Sequence, residues 1–193
     1  MKIVLINGQN HKGSSYHIGR MLAEQFPEGK ISEFFLPKDL EHFCTGCYAC
    51  IKNKENCPFY RMSHKPRRCM FSKKAVVIST AAGAGMKSAA KDIQNTLFYW
   101  GVPYIKEYGI AVQAMSWDQV SEQKKDRIKQ DIKKLANKIS NHQNPHAGIK
   151  TRFMFDIMRM MQNRGLGSSP EEKEYWKTNG WLDKKRPWNK GGK

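Results

Sequence analysis

Apolar and polar positions change period several times along the 193 residues, and each change predicts an element. Lys2 to Asn7 (KIVLIN) is a β-branched apolar run closed by Gly8, the pattern of a parallel strand buried on both faces. The period then lengthens. Ile18, Met21, Leu22 and Phe26 recur at helical spacing behind the candidate N-caps Ser14 and Ser15, until Pro27 and Gly29 stop the helix. Lys30 to Leu36 predicts a second strand and Ala75 to Thr80 (AVVIST) another buried one. A small-residue loop follows, then a helix with Met86, Ala89, Ala90, Ile93, Leu97 and Trp100 on one face, ended at Gly101. Tyr104 to Val112 reads as a strand, and Gln119 to Ser140 as a helix turning Ile128, Ile132, Leu135, Ala136 and Ile139 inward. Strand and helix in alternation predict an α/β fold.

Beyond Asn141 the character shifts. A short helix bears Ile149, Phe153, Ile157, Met160 and Met161, and Gly165-Leu166-Gly167 breaks it. Its Met-rich stripe reads as packing or a dimer surface rather than a cofactor contact. Pro170 to Lys193 sets Tyr175, Trp176, Trp181 and Trp188 among Lys and Gly, which predicts an extension wrapped on the domain. The expected organisation is therefore a domain over 1–140, holding a cysteine-rich and basic insert at 37–74, and a helical, aromatic extension over 141–193.

Composition narrows the class. With 39% hydrophobic residues the chain has material for a core, so wholesale disorder is excluded. No run approaches the ~20 apolar residues of a spanning helix, and the opening run is too short for a signal-peptide core, so a cytoplasmic protein without a membrane span is expected. The 34 Lys and Arg against 17 Asp and Glu leave a net charge of +17, which favours anionic partners.

Two segments carry candidate chemistry on their residues alone. Gly8-Gln9-Asn10-His11-Lys12-Gly13-Ser14-Ser15 lies between a buried strand and a helix start, where backbone N–H groups, two hydroxyls, a cation and an imidazole suit a phosphate. The plainer alternative is a polar connector with a serine cap. The second is Cys44, Cys47, Cys50 and Cys57, spaced C-x2-C-x2-C-x6-C. Three thiolates on one tight turn suit an iron–sulfur cluster better than zinc, and free thiols stay open, because spacing does not show ligation. Cys69 reads as a spare thiol. The basic run Arg61, Lys65, Arg67, Arg68, Lys73 and Lys74 follows without an intervening acid.

MKIVLINGQNHKGSSYHIG resembles the opening of the flavodoxin-like NAD(P)H-dependent FMN reductases, whose first loop, close to NGSPRKxGNT, holds the FMN phosphate. Lys12 matches. His11 replaces an Arg, Gln9 and Asn10 stand for Ser-Pro, Ser14 and Ser15 for Asn-Thr, and the loop is one residue shorter. The resemblance returns in the cysteine run, which is similar to that of the iron–sulfur flavoproteins of the same family and implies a [4Fe–4S] cluster. It returns again in Ser63-His64-Lys65-Pro66, in Lys73 to Gly85, in Trp100-Gly101-Val102, and in Tyr175-Trp176 with Gly180-Trp181.

The resemblance implies a flavodoxin-like three-layer sandwich around a parallel sheet of order 2-1-3-4-5, with the flavin at the switch point. It also implies FMN as cofactor, its phosphate on Gln9, Asn10, His11, Lys12, Ser14 and Ser15, and its ring along Thr80, Ala81, Ala82, Gly83, Ala84 and Gly85. Electrons would pass from NAD(P)H to a flavin, quinone or other small-molecule acceptor, in a homo-oligomer, with no side chain acting as general acid or base. One family feature is missing. Between Leu36 and Ala75 a helix, an apolar strand and another helix are expected, and no such run exists in 37–74. The loss of that step, roughly 30–40 residues, removes the third strand. The first strand and the strand at Ala75–Thr80 must then pair directly or leave unpaired edges, and FMN binding weakens. The rival class is a basic nucleic-acid-binding module with a four-cysteine metal site; nucleic acid is not the favoured partner because the strands and loops suit a nucleotide-sized ligand.

Overall fold

A computed structural model of the chain describes residues 1–36, 38–39, 66–166 and 170–189. The elements run β1 (Lys2–Asn7), α1 (Ser14–Glu24), β2 (Lys30–Phe35), a 3-10 turn (Arg68–Ser72), β3 (Lys74–Ala81), α2 (Met86–Trp100), β4 (Tyr104–Ala111), α3 (Glu122–Asn141), α4 (Ile149–Arg164) and α5 (Pro170–Thr178). The fold is mixed α/β, as the alternating pattern predicts. The described residues gather into two compact units: one takes 1–39, Val76–Gln94 and Lys106–Gln143, the other 66–75, Asn95–Ile105 and 144–189.

In the first unit β1 and β2 pair in parallel, Lys2 opposite Lys30, Val4 opposite Ser32 and Ile6 opposite Phe34. β3 and β4 form a second two-stranded sheet. Successive amides Val112 and Gln113 donate to successive carbonyls Ala81 and Ala82, at 2.8 and 3.1 Å, so these two strands also advance in one direction. Among the described residues no strand joins the two pairs into one sheet. α1 packs on β1 and against α3. Gly19 of α1 explains the close approach: a Cβ there would lie 3.0 Å from Leu5 Cδ1 of β1 and 4.0 Å from Ile78 Cδ1 of β3. One helix therefore touches both half-sheets. α3 buries Ile128, Ile132, Leu135, Ala136 and Ile139, the five positions its periodicity selects, and Ser121 caps it by accepting from the Lys124 amide.

Two local expectations fail. β1 is not buried on both faces: Val4 and Ile6 are 60% and 62% exposed, beside Phe34 at 44%. The helix packed on this pair, α1, covers one face only, and alternate residues face outward as the two-residue period demands. Ile93 of α2, expected on the buried face of its helix, is exposed as well. Within the expected helical, aromatic extension, Pro170–Thr178 is a helix, with proline in its first position and Gly180 past its end at φ +68°.

The second unit is built on aromatic rings. Phe71, Phe155, Trp176 and Trp181 are buried together with Ala147, and Trp188, Tyr175, Met158 and Leu182 pack against them. Phe155 is central, its ring 4.8 Å from Trp176, 5.1 Å from Trp188, 5.6 Å from Trp181 and 6.3 Å from Phe71. The Tyr175 hydroxyl donates to the Pro66 carbonyl at 2.7 Å, which ties α5 to the start of the 66–75 segment. Gly101 ends α2 at φ +96°, and a Cβ there would overlap the Phe71 ring. Phe155→Ala is expected to destabilise this unit by about 3–5 kcal/mol, read as a lower urea midpoint in tryptophan fluorescence.

Candidate functional site

The loops that follow β1, β2, β3 and β4 leave the carboxyl ends of the strands, where open α/β sheets place their ligands. Three successive residues in the first turn of α1 reach three of these loops or strand ends. The Ser15 hydroxyl is hydrogen-bonded to the Thr80 hydroxyl at 2.7 Å, near the end of β3. The Tyr16 ring stacks on Phe35 at the end of β2, with centroids 5.8 Å apart. The His17 ring stacks on Trp117 beyond β4, at 5.2 Å and 15°. The first turn of α1 is thus the hub of the site, and it joins the two loops that the sequence singles out.

Sequence reasoning assigns Ser14 or Ser15 as the helix cap, and here it is corrected. Gly13 occupies the N-cap position and no side chain caps the helix. The first intrahelical bond runs from the His17 amide to the Gly13 carbonyl, 3.2 Å, so the amides ahead of it have no partner in the helix. Ser15 spends its hydroxyl on Thr80 instead. The His11 ring folds over Gly13, with Nε2 3.0 Å from where a Cβ would stand. Lys12 Nζ sits 5.4 Å from the Tyr16 ring centroid. Gln9, Asn10, His11 and Lys12 are exposed and Ser14 and Ser15 half-buried. The Asn10 side-chain carbonyl accepts from the Lys38 amide at 3.4 Å, and Asp39 Oδ2 accepts from the Phe35 amide at 2.6 Å, so the loop after β2 lies beside the first loop.

Thr80 to Gly85 forms the second wall. Ala82, Gly83, Ala84 and Gly85 are exposed, Thr80 and Ala81 half-buried, and a Cβ at Gly83 or Gly85 would meet nothing within 4 Å. Gly85 adopts φ +95°, which a glycine takes without strain, and the Ser88 hydroxyl donates to its carbonyl at 3.0 Å. The loop beyond β4 is held firmly: Lys124 Nζ donates to the Ala111 carbonyl at 3.0 Å and to Gln113 Oε1 at 2.6 Å, fixing Gln113 at φ +55°. Tyr16, His17 and Trp117 escape sequence reasoning. Trp117 carries a signal, as an aromatic residue in the loop after a strand, where the strand ends converge.

The residues present fit a phosphate: helix amides without intrahelical partners, the Lys12 cation, an imidazole, and hydroxyls in one place. For a planar ring they offer one open wall, Thr80 to Gly85. Cys44, Cys47, Cys50 and Cys57, together with 37 and 40–65 generally, lie outside the described residues. Among the described residues no group of three or more His, Cys, Asp or Glu side chains is arranged to hold a metal ion. Nor is any helix there long and apolar enough to cross a membrane. No protein-family model, no curated protein and no solved structure matches the chain.

On the same unit, away from these loops, Tyr108 of β4 donates to Asp131 of α3 at 3.4 Å. Burial, followed by the charge and hydrogen bond of Asp131, pushes its phenol up to about 12 from 10.0. A folded-state pKa above the unfolded one means that this contribution to stability is whole below pH 10 and is lost as pH climbs through 12. An alkaline titration of tyrosinate absorbance is expected to show a late-titrating component that Tyr108→Phe removes.

Proposed function

We propose that the chain is an FMN-dependent oxidoreductase of the NAD(P)H-using kind, with a flavin that is held mainly by its phosphate and exchanges readily. The observation that carries this reading is the 2.7 Å Ser15–Thr80 hydrogen bond, which draws the phosphate-type loop and the ring-type loop into one place at the strand ends. The uncapped first turn of α1 supports it from a second direction.

The amides of Ser14 and Ser15 would donate to the phosphate, Lys12 and His11 would neutralise it, and Gln9 and Asn10 would close the loop around it. Thr80 to Gly85 would line one face of the ring with backbone and small side chains. When bound, the flavin supplies the hydride and electron chemistry between a reduced nicotinamide and a flavin, quinone or similar acceptor. The protein's task is to bind and orient, and no side chain is assigned as acid or base. Because one wall of the ring site is open, flavin retention should be weak beside that of a site with two walls. A [4Fe–4S] cluster on Cys44, Cys47, Cys50 and Cys57 would add a one-electron relay, and the reading does not depend on it.

Titration with FMN, followed by quenching of flavin fluorescence, is expected to saturate. Riboflavin, which lacks the phosphate, and the Lys12→Ala variant with FMN are each expected to bind at least about tenfold more weakly, the value of one charge-assisted contact. Equal affinity for riboflavin and FMN would rule out the phosphate loop, and absence of quenching at saturating FMN would rule out the flavin.

A further inference from the structure

Lys12 is exposed, and an exposed lysine carries its charge on a long flexible stem, so fixing its ammonium on a ligand costs side-chain entropy. Here the ammonium already has a resting place. Lys12 Nζ lies over the Tyr16 ring, 5.4 Å from the centroid, inside the range over which an aromatic face attracts a cation. The start of the helix sets up this contact. Gly13 is the N-cap, so Lys12 stands just ahead of α1 and Tyr16 within its first turn, positions whose side chains meet when a chain enters a helix.

The ring that receives Lys12 is held in turn. It stacks on Phe35 at the end of β2, with centroids 5.8 Å apart and planes 29° apart, and the His17 ring meets it edge-on at 5.4 Å. Asp39 Oδ2 accepts from the Phe35 amide at 2.6 Å, which fixes the strand end beneath the stack. The support for the Lys12 charge therefore comes from α1 and β2 together. It is a property of the ring face rather than of the phenol hydroxyl, so phenylalanine would supply it and an aliphatic side chain would not.

We propose that Tyr16 is a positioning residue: its ring holds the Lys12 ammonium beside the first turn of α1, and so sets how strongly the site prefers a ligand with a phosphate over the same ligand without one. This rests on the reading of that turn as a phosphate site. Tyr16 acts through Lys12, with no ligand contact of its own.

The test uses the full chain and has two arms. Without ligand, the ring current of Tyr16 is expected to move the Lys12 ε-methylene protons upfield in the NMR spectrum, an effect that Tyr16→Phe keeps and Tyr16→Leu abolishes. With ligand, FMN and riboflavin are titrated into each variant. Tyr16→Leu is expected to weaken FMN binding by about two- to fivefold, the value of one exposed cation–π contact, with no matching loss for riboflavin, and Tyr16→Phe to restore the preference. In a Lys12→Ala background Tyr16→Leu is expected to cost nothing further. A Lys12 shift that survives in Tyr16→Leu would overturn the proposal. So would equal losses for FMN and riboflavin, which would mean a general distortion of the loop, or a further loss in the Lys12→Ala background. Tighter FMN binding by Tyr16→Leu would make the ring a trap for the lysine and overturn it too. An unaltered chain that binds FMN no better than riboflavin would overturn the phosphate reading and this inference with it, whereas failure of the inference alone leaves that preference in place and shows only in the variants.

Discussion

The first unit depends on a single helix lying against two incomplete sheets. β1–β2 and β3–β4 are separate parallel pairs among the described residues, and α1 contacts both: Gly19 against Leu5 and Ile78, Ser15 against Thr80. The hydrogen bond is worth about 1 kcal/mol net, so its energy is not the point. Its consequence is geometric. It fixes the start of α1, with its free-standing amides, beside the loop that follows β3, and stacking of Tyr16 on Phe35 and His17 on Trp117 holds the same turn from two more directions. The loops at the strand ends are held together by this helix, because among the described residues no continuous sheet sets their spacing.

That arrangement has a visible cost. A parallel pair is ordinarily covered on both faces, yet Val4, Ile6 and Phe34 are exposed on one. The second unit shows the opposite economy: a dense set of aromatic rings around Phe155 gives a well-packed core from few residues, with the Tyr175 hydroxyl and the Gly101–Phe71 approach setting its register. Aromatic residues bury roughly 150–250 Å² each, which is how so short a stretch of chain supplies a core.

Most element boundaries were legible in the sequence because they follow from local causes. The 3.6-residue repeat of α3 selects its five buried residues without error, and Gly101 and Gly165 end their helices where a left-handed residue is needed. Burial was less legible, because it depends on what covers a face. KIVLIN reads the same whether one or two helix layers lie against it, and Ile93 fits its helical stripe whether or not a strand lies beneath it. The site was half legible. Loop composition pointed to Gln9–Ser15 and Thr80–Gly85, whereas the hub role of Tyr16, His17 and Trp117 arises from contacts distant in sequence. The serine cap was misassigned for a similar reason: Ser15 has a partner 65 residues away that outcompetes the local amide.

We propose that the first turn of α1 receives a phosphate. The most direct measurement is the amide NMR spectrum of the chain during addition of FMN. The Gly13, Ser14 and Ser15 amides are expected to shift most, together with those of Thr80 to Gly85. Saturating FMN that leaves the Gly13–Ser15 amides in place, or moves a different part of the chain instead, would contradict it.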